Sequence, residues 1–257
     1  MRKFSILSAA LTCGLFSFTA ATAKASDTAI VYVAHGINGQ DLGLDPSLPV
    51  DVNVAGLCVP ALNSLSYGEI RGPFVVPTGT LTIQIGLAST VSPCSSAPVI
   101  SANVPFSAGE NASVVAHLDA AGSPTASKFD NDLSPAMPNT GRVIAFHTAA
   151  APTVDAALSR YQSYAPLGGG LLEQVTIAGG SYKLTLSNGQ QGKADIPLGT
   201  YQLSLAPTGT QDTVLGPASI ATKPNTATLL FVFGSASKGT LKLVTKELDL
   251  KVSSPGM

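Results

Sequence analysis

The sequence contains no tryptophan, only six tyrosines and few charged side chains, since Asp, Glu, Lys and Arg together make up 11% of its 257 residues. Its formal net charge is −1 and it has no basic stripe, which argues against nucleic-acid binding. Low charge combined with 45% hydrophobic residues also excludes an intrinsically disordered chain. The few aromatic side chains leave little surface on which a sugar ring could stack.

Motifs of known catalytic chemistry are missing as well. The chain has no Gly-x-Ser-x-Gly nucleophile elbow, no phosphate-cradling glycine loop and no dinucleotide fingerprint. The segment Ser235–Lys238 fits Ser-x-x-Lys, but it follows a predicted strand and lacks the companion motifs of a serine acyltransferase. We therefore predict a protein that is not an enzyme and that uses no cofactor.

The N-terminus has the three regions of a secretory signal peptide. Met1–Lys3 is positively charged, Phe4–Ala23 is uncharged and mostly apolar, and Ala23-Lys24-Ala25 is a small-x-small cleavage site. Cleavage there would remove residues 1–25, and Ala21-Thr22-Ala23 is the alternative site. The sequence thus predicts an exported protein, periplasmic or extracellular, without a stable membrane span.

Three cysteines are present and none forms a Cys-x-x-Cys motif. Cys13 lies within the predicted signal peptide, so Cys58 and Cys94 would remain in the exported chain. Two thiols in an oxidising compartment most simply form one disulfide.

Short strands joined by turns dominate the local pattern, in keeping with 25 glycines and 18 prolines. Alternating apolar and polar residues predict strands at Leu81–Ile85, Tyr182–Leu186 and Tyr201–Leu205, and an apolar run predicts another at Ala29–Ala34. Amphipathic helices are scarce. The stretch Ala156–Tyr164 is the one place where we expect either a short helix or an irregular excursion.

Four segments of the first half recur in the same order in the second half. The matches are Ile30–His35 with Arg142–His147, Asp51 with Asp155, Val76–Leu81 with Ile196–Tyr201, and Ser113–Ala116 with Thr228–Phe231. Such recurrence predicts two tandem copies of one β domain. We place the copies at residues 26–133 and 141–252, with a linker at 134–140 and a tail at 253–257.

These repeated blocks resemble the bacterial family called domain of unknown function 4397. The carriers in the first copy are His35, Asp51, Leu65-Ser66-Tyr67-Gly68 and Pro77-Thr78-Gly79-Thr80; those in the second are His147, Ala151-Pro152, Asp155 and Pro197–Tyr201. The resemblance implies exported or envelope-associated sandwiches without an assigned activity. We therefore expect an all-β fold of two tandem immunoglobulin-like or transthyretin-like antiparallel β-sandwich domains after a signal peptide.

The two copies differ in their loops. His35 and Asp51 are 16 positions apart, whereas His147 and Asp155 are 8 apart, so the first copy carries about eight inserted residues within Gly36–Pro49. The second copy has its own excursion from Arg160 through Gly170. Loops are where copy-specific function is expected.

The recurring His and Asp residues have two interpretations. His35 with Asp51 and His147 with Asp155 could form His–carboxylate pairs for metal binding or base catalysis, as in a hydrolase or a metal-binding protein. Alternatively, each histidine ends a strand and bonds a neighbouring loop. One His and one Asp per copy fall short of the three protein ligands of a catalytic zinc site, so we favour the structural role.

Other candidate sites lie on the loops. Asp41, Asp45 and Asp51 place three carboxylates on or beside the insertion. A calcium site needs about six to eight oxygen ligands, so we favour a solvated loop over a calcium site. Tyr161 and Tyr164 are the best candidates for an aromatic binding surface. We predict an adhesion, binding or envelope-structural role, with an envelope or matrix protein or a polysaccharide as partner.

Overall fold

The computed structural model describes residues 27–163 and 174–251, and nearly all regular structure in this part of the chain is β-strand. The first eight strands are β1 (Thr28–His35), β2 (Val50–Val54), β3 (Leu57–Cys58), β4 (Ile70–Pro77), β5 (Gly79–Leu87), β6 (Pro98–Phe106), β7 (Asn111–Leu118) and β8 (Pro124–Asp130). They form two four-stranded sheets, in the orders β4-β1-β7-β8 and β3-β2-β5-β6. These sheets make the first sandwich.

The next eight strands form a second sandwich with the same plan. They are β9 (Thr140–His147), β10 (Val154–Ser163), β11 (Gln174–Leu186), β12 (Gln190–Pro197), β13 (Gly199–Pro207), β14 (Leu215–Thr222), β15 (Thr226–Phe233) and β16 (Lys242–Asp249). Their sheets have the orders β12-β9-β15-β16 and β11-β10-β13-β14. Each strand of the first sandwich thus has its counterpart eight strands later. The predicted all-β architecture of two sandwiches is confirmed.

Strand pairing is antiparallel with one exception in each sandwich. β1 runs parallel to β7, and β9 runs parallel to β15. The repeated Pro-x-Gly-Thr motif joins β4 to β5 and β12 to β13. Its glycine, Gly79 in the first copy, has a φ of 109°, a conformation that L side chains rarely adopt.

The segment Ala156–Ser163 is not a helix. Its residues up to Ser163 belong to β10, which pairs with both β11 and β13. The expectation of a short helix or an irregular excursion at this place was therefore wrong as far as Ser163. Here the long hairpin partner Gln174–Leu186 supplies hydrogen bonds that hold Val154–Ser163 extended.

Each sandwich has an apolar core of its own, and a third core lies between them. The odd-numbered side chains Val31 and Val33 of β1 point into the first sandwich, whereas Tyr32 and Ala34 point towards the second. The sheets that contain β1 and β9 therefore face each other. The molecule is a stack of four sheets, and the central strands of the two inner sheets, β1, β7, β9 and β15, are buried on both faces over most of their length.

Aromatic rings form the centre of the shared core. Phe129 of the first sandwich lies 5.1 Å, between ring centroids, from Phe146 of the second. Phe146 in turn stacks on Phe231 at 4.5 Å, and Phe231 contacts Phe233 at 5.7 Å. Three of these rings, those of the second sandwich, are fully buried.

The predicted disulfide is present. Cys58 at the end of β3 is bonded to Cys94 in the loop between β5 and β6, with the two Cα atoms 5.8 Å apart. The bond attaches that loop to the edge of the outer sheet. The predicted signal peptide, residues 1–25 with Cys13, lies outside the described residues.

Candidate functional site

His35 and His147 occupy equivalent places at the ends of β1 and β9. Both are buried, and each points into the core of its own sandwich. The Nε2 atom of His35 lies 2.9 Å from the carbonyl oxygen of Leu48, and that of His147 lies 2.9 Å from the carbonyl oxygen of Pro152. Each histidine thus holds the loop that leads from its strand into the next one.

Burial lowers the pKa of both imidazoles, because an apolar surrounding disfavours the charged form. The pKa of His35 falls to about 4, and that of His147 is also lowered. In each ring the Nδ1 atom is enclosed and has no hydrogen-bond partner within the described part of the chain. Both histidines are neutral at pH 7.

Asp51 organises a different loop. Its carboxylate accepts hydrogen bonds from the main-chain amides of Ser64 at 2.9 Å, Ser89 at 3.1 Å and Cys94 at 2.9 Å. Burial by itself would raise the pKa of this carboxyl, but the three N–H donors outweigh it and lower the pKa. The residue anchors the disulfide loop against β2.

Asp155 has the corresponding position on β10 but takes side-chain donors. The ammonium group of Lys183 and the hydroxyl of Thr185 each lie 2.7 Å from its carboxylate, and both lower its pKa. The hydroxyl of Thr208, which begins the loop after β13, lies at 3.4 Å. Both aspartates therefore fasten the loop between the same two strands of their sandwiches.

Neither His–Asp pair is formed as a hydrogen bond. The reason is the alternation of side chains along a strand. Val50 and Val52 point into the first core, so Asp51 between them points to the opposite face of its sheet, while His35 points into the core. The same holds for Asp155 between Val154 and Ala156. The structure thus separates the two groups that the pair hypothesis required.

The insertion Gly36–Pro49 closes one end of the first sandwich. It forms a short 3-10 helix, Gly39–Leu42, which is capped by the side chain of Asn38. Ile37 and Leu48 of the insertion are buried in the first core. These residues make the insertion part of the folded domain rather than a free loop.

An apolar cavity of about 80 Å³ lies under this insertion. Its walls are aliphatic except for His35, and its residues are Ile37, Leu42, Leu44, Leu48, Val50, Ile85, Gly86, Leu87, Val99, Ile100, Ala116 and Pro124. Three of them remain exposed at the rim: Leu44 by 47%, Leu87 by 41% and Val99 by 58%. The arrangement presents a small apolar opening with one neutral imidazole, that of His35, in its wall.

The insertion also contacts the second sandwich. The hydroxyl of Thr240 donates to Asp41 at 2.7 Å, and the hydroxyl of Tyr67 donates to the carbonyl of Thr240 at 2.7 Å. The ammonium group of Lys242 lies 5.3 Å from the Tyr67 ring centroid. These contacts fix the loop end of one sandwich against the other.

The remaining sequence candidates are not assembled into a site. The Tyr161 side chain and all of Tyr164 lie outside what the structure describes. Asp45 caps its own turn through Ser47, and Asp41 and Asp51 have the separate partners given above. Within residues 27–163 and 174–251, no group of three His, Cys, Asp or Glu side chains is placed to hold a metal ion.

His117 is a satisfied core histidine. Its two ring nitrogens lie 2.9 Å from the carbonyl of Leu118 and 2.9 Å from the hydroxyl of Ser127.

Among residues 27–163 and 174–251, no helix has the length and the apolar character that a membrane span needs.

The aliphatic cavity was missed by sequence reasoning. Its signal was available, because Ile37, Leu42, Leu44 and Leu48 are large apolar residues within an insertion that was treated as a solvated loop. What the sequence does not give is which of them face each other, since that depends on the path of the 3-10 helix.

Comparison with known families gives one match over half of the chain. The family Domain of unknown function (DUF4397) matches residues 29–157, from β1 into β10. The chain belongs to this family. No curated protein matches this DUF4397 chain.

Similar solved structures were found at low identity. One is described as a "putative cell adhesion protein" from Bacteroides ovatus ATCC 8483, with 8% identity, 90% of this chain and 100% of that chain covered, and a TM-score of 0.29. Another, with the same description, is from Bacteroides uniformis ATCC 8492, with 9% identity, 86% and 98% coverage, and a TM-score of 0.27. Likeness at this level carries no argument about function.

Proposed function

We propose that this DUF4397 protein is an exported, non-catalytic binding protein, and that it receives an aliphatic group of an envelope or matrix protein in the cavity under Gly36–Pro49. We further propose that residues 26–133 and 141–252 are tandem copies of one domain. The recurring strand order supports the second proposal. The Cys58–Cys94 disulfide supports export, because such bonds persist in oxidising compartments.

The observation that carries the binding proposal is the composition of the cavity. Its wall contains a single polar side chain, and that group, His35, is neutral at pH 7. Burying a charged or hydroxylated ligand there would leave polar groups without partners, at a cost of about 1–3 kcal/mol each. An aliphatic side chain loses no hydrogen bond on entry. The site therefore favours a protein partner over a polysaccharide.

The geometry gives no corresponding support to catalysis by the His–Asp pairs. A general base needs a hydrogen-bonded orienting group and access to substrate. His35 and His147 instead bond main-chain carbonyls, and Asp51 and Asp155 bond loop donors on the other side of the sheet.

The proposal can be tested by retention of the exported protein on the cell envelope. Leu44→Asp places a carboxylate at the rim, and we expect the retained fraction to fall at least fivefold after washing. Val91→Asp is the matched control, because Val91 is 94% exposed on the neighbouring disulfide loop and outside the cavity wall. Deleting the insertion would be a poorer test, since it would remove Ile37 and Leu48 from the core.

The proposal fails if Leu44→Asp and Val91→Asp are retained equally, with both variants folded as judged by circular dichroism. Turnover of a substrate that is abolished by His147→Asn at an unchanged melting temperature would favour the hydrolase alternative instead.

A further inference from the structure

A small polar pocket lies on the outer face of the first sandwich, under the disulfide loop, residues 88–97 between β5 and β6. It encloses about 70 Å³, and its wall includes Asp51, Asn53, Gln84, Gly86, Cys94 and Ser96. No lysine, arginine or histidine of the described chain lines it. The aliphatic cavity of the proposed function lies on the core side of this sheet, so that function makes no use of the polar pocket.

The strand register brings three oxygen-bearing side chains of this wall together. Asn53 of β2 pairs with Gln84 of β5, and two residues earlier Asp51 pairs with Gly86. Val52 points into the core, so its neighbours Asp51 and Asn53 point to the outer face, as does Gln84 opposite Asn53. Directly opposite residues have Cβ atoms about 4.5–5.5 Å apart. One ion in the pocket can therefore contact all three side chains.

Two main-chain oxygens enter the same space from the disulfide loop. A Cβ atom on Gly86 would lie 3.2 Å from the carbonyl oxygen of Ser96 and 3.2 Å from that of Ala97. Because Gly86 has no side chain, both carbonyls come close to the outer face of the sheet. The disulfide to Cys58 and the 2.9 Å hydrogen bond from the amide of Cys94 to a carboxylate of β2 hold the loop in this place.

The oxygens that meet here have no positively charged partner. The Oδ1 atom of Asn53 is enclosed and has no hydrogen-bond partner among the described residues. Asp51 is 2% exposed and ionised, since its pKa is lowered, yet it belongs to no ion pair within residues 27–163 and 174–251. Its three amide donors use three of about four lone pairs of the carboxylate. One lone pair of Asp51 is left for a cation.

The second sandwich supplies a cation of its own at the equivalent aspartate. The ammonium group of Lys183 lies 2.7 Å from the carboxylate of Asp155. Lys183 pairs with Ala157 across β10 and β11, and the equivalent pair in the first sandwich is Cys58 with Asn53. Where the second sandwich has a lysine, the first thus has a disulfide cysteine. Where the second has a methyl group, the first has the unpartnered amide oxygen.

We propose that this pocket binds one calcium ion, with side-chain oxygens of Asp51, Asn53 and Gln84 and carbonyl oxygens of the disulfide loop as ligands. Calcium takes about six to eight oxygens in irregular arrangements, and water supplies the remainder, whereas magnesium demands a regular octahedron. A single carboxylate makes the site weak, with a dissociation constant of about 10⁻⁴–10⁻³ M, the range of extracellular modules.

This calcium site is not the one that the three carboxylates on the insertion suggested, because Asp41 and Asp45 take no part in it. Its role is to fasten the disulfide loop to β2 and β5 in a compartment that contains calcium. The inference does not depend on the proposed function, since the ion lies on the opposite face of the sheet from the aliphatic cavity.

A calcium titration of the full, disulfide-bonded chain tests the site, with the melting temperature followed by circular dichroism. A ligand that binds only the folded protein raises this temperature. We expect a saturable rise between EDTA and millimolar calcium, and no comparable rise with magnesium. Equilibrium dialysis should give one calcium ion per chain. Asn53→Ala should weaken calcium binding at least tenfold and leave the melting temperature in EDTA unchanged, because its Oδ1 has no partner to lose.

Asn103→Ala is the matched control. Asn103 lies on the same outer face, where it accepts a hydrogen bond from Thr82 at 2.9 Å, but it is outside the pocket wall. Its variant should respond to calcium as the unchanged chain does. Gln84→Ala repeats the test if Asn53→Ala does not fold. The inference is overturned by the absence of saturable calcium binding, by an equal response to magnesium, or by pocket variants that bind calcium as tightly as Asn103→Ala.

Discussion

The main-chain amide of Gly234 donates a hydrogen bond to the carbonyl oxygen of Gly36 at 3.1 Å, and this bond joins the end of β15 to the end of β1. The two sandwiches meet so closely here that a Cβ atom on Gly36 would lie 2.5 Å from Cδ1 of Phe233. Phe233 is fully buried in the shared core. The ring cannot move aside without disturbing its aromatic neighbours.

Gly36→Ala should therefore destabilise the protein by about 1–3 kcal/mol, the usual cost of overpacking. Equilibrium urea unfolding gives the measurement. Gly192→Ala is the matched control, because there the nearest atoms are the flexible ends of Leu186 and Leu184, at 3.1 Å and 3.5 Å. A Gly36 variant as stable as the Gly192 variant would show that the sheets adjust freely.

The shared core makes a second prediction about cooperativity. Cutting the chain between β8 and β9 would expose Tyr32 and Phe129 on one half and Phe146 and Phe231 on the other. We expect the full chain to unfold in a single transition when unfolding is monitored by circular dichroism. Residues 26–133 alone should be markedly less stable and should bind a hydrophobic dye. Two separate transitions in the full chain, each matched by an isolated half, would contradict this.

Much of this fold could be predicted from the sequence, but the shared core could not. Alternation identified strands such as Tyr201–Leu205, and recurrence identified the equivalent strands of the two sandwiches. The unbroken apolar runs Ile30–Ala34 and Leu229–Phe233 are typical of strands buried on both faces. Which second layer covers them depends on how the sandwiches pack, and no local pattern records that.

The candidate site was predictable only in part for a related reason. Recurrence marked His35 and Asp51 as special, yet their partners are loop groups such as Leu48 and Cys94, which a single sequence does not link to them. Side-chain alternation relative to Val50 and Val52 would have shown that Asp51 faces away from the core. This inference about Asp51 requires knowing which face of its sheet is turned towards the core.

Asp51 should make a large contribution to stability. Asp51→Asn leaves one acceptor oxygen for three amide donors, so we expect a loss of about 1–3 kcal/mol in the free energy of unfolding. Asp212→Asn, an exposed loop position, serves as the control and should change stability little. Equal stability of the two variants in urea unfolding would show that the amides find other partners.

The buried histidines predict how stability depends on pH. Burial lowers the pKa of His35 to about 4 and lowers those of His117 and His147 as well, whereas an unfolded histidine titrates near pH 6.5. Between about pH 6.5 and 4 the unfolded chain binds protons that the folded chain does not. The free energy of unfolding should therefore decrease as the pH falls through that window, by up to about 1.4 kcal/mol per pH unit from His35, and His117 and His147 should add to the decrease below pH 6.5.

Urea unfolding at pH 7.5 and pH 5 measures this dependence, and His147→Asn should make the profile shallower. Carboxylates such as Asp51 have lowered pKa values and lose their contribution to stability only below about pH 5, so they have little effect on the comparison of pH 7.5 with pH 5. Unfolding free energies that are equal at the two pH values would contradict this, because they would show that the histidines bind protons in the folded protein as readily as in the unfolded chain.

Site-specific photo-crosslinking tests the central claim, that the cavity under the insertion contacts a partner, most directly. A photoreactive amino acid would replace Leu44 at the rim in one variant and Val91 on the disulfide loop in another, and both would be exported and irradiated on intact cells. The account predicts one dominant adduct with an envelope or matrix protein from position 44 and a yield at least fivefold lower from position 91. Equal yields from the two positions, or no adduct from position 44, would contradict it.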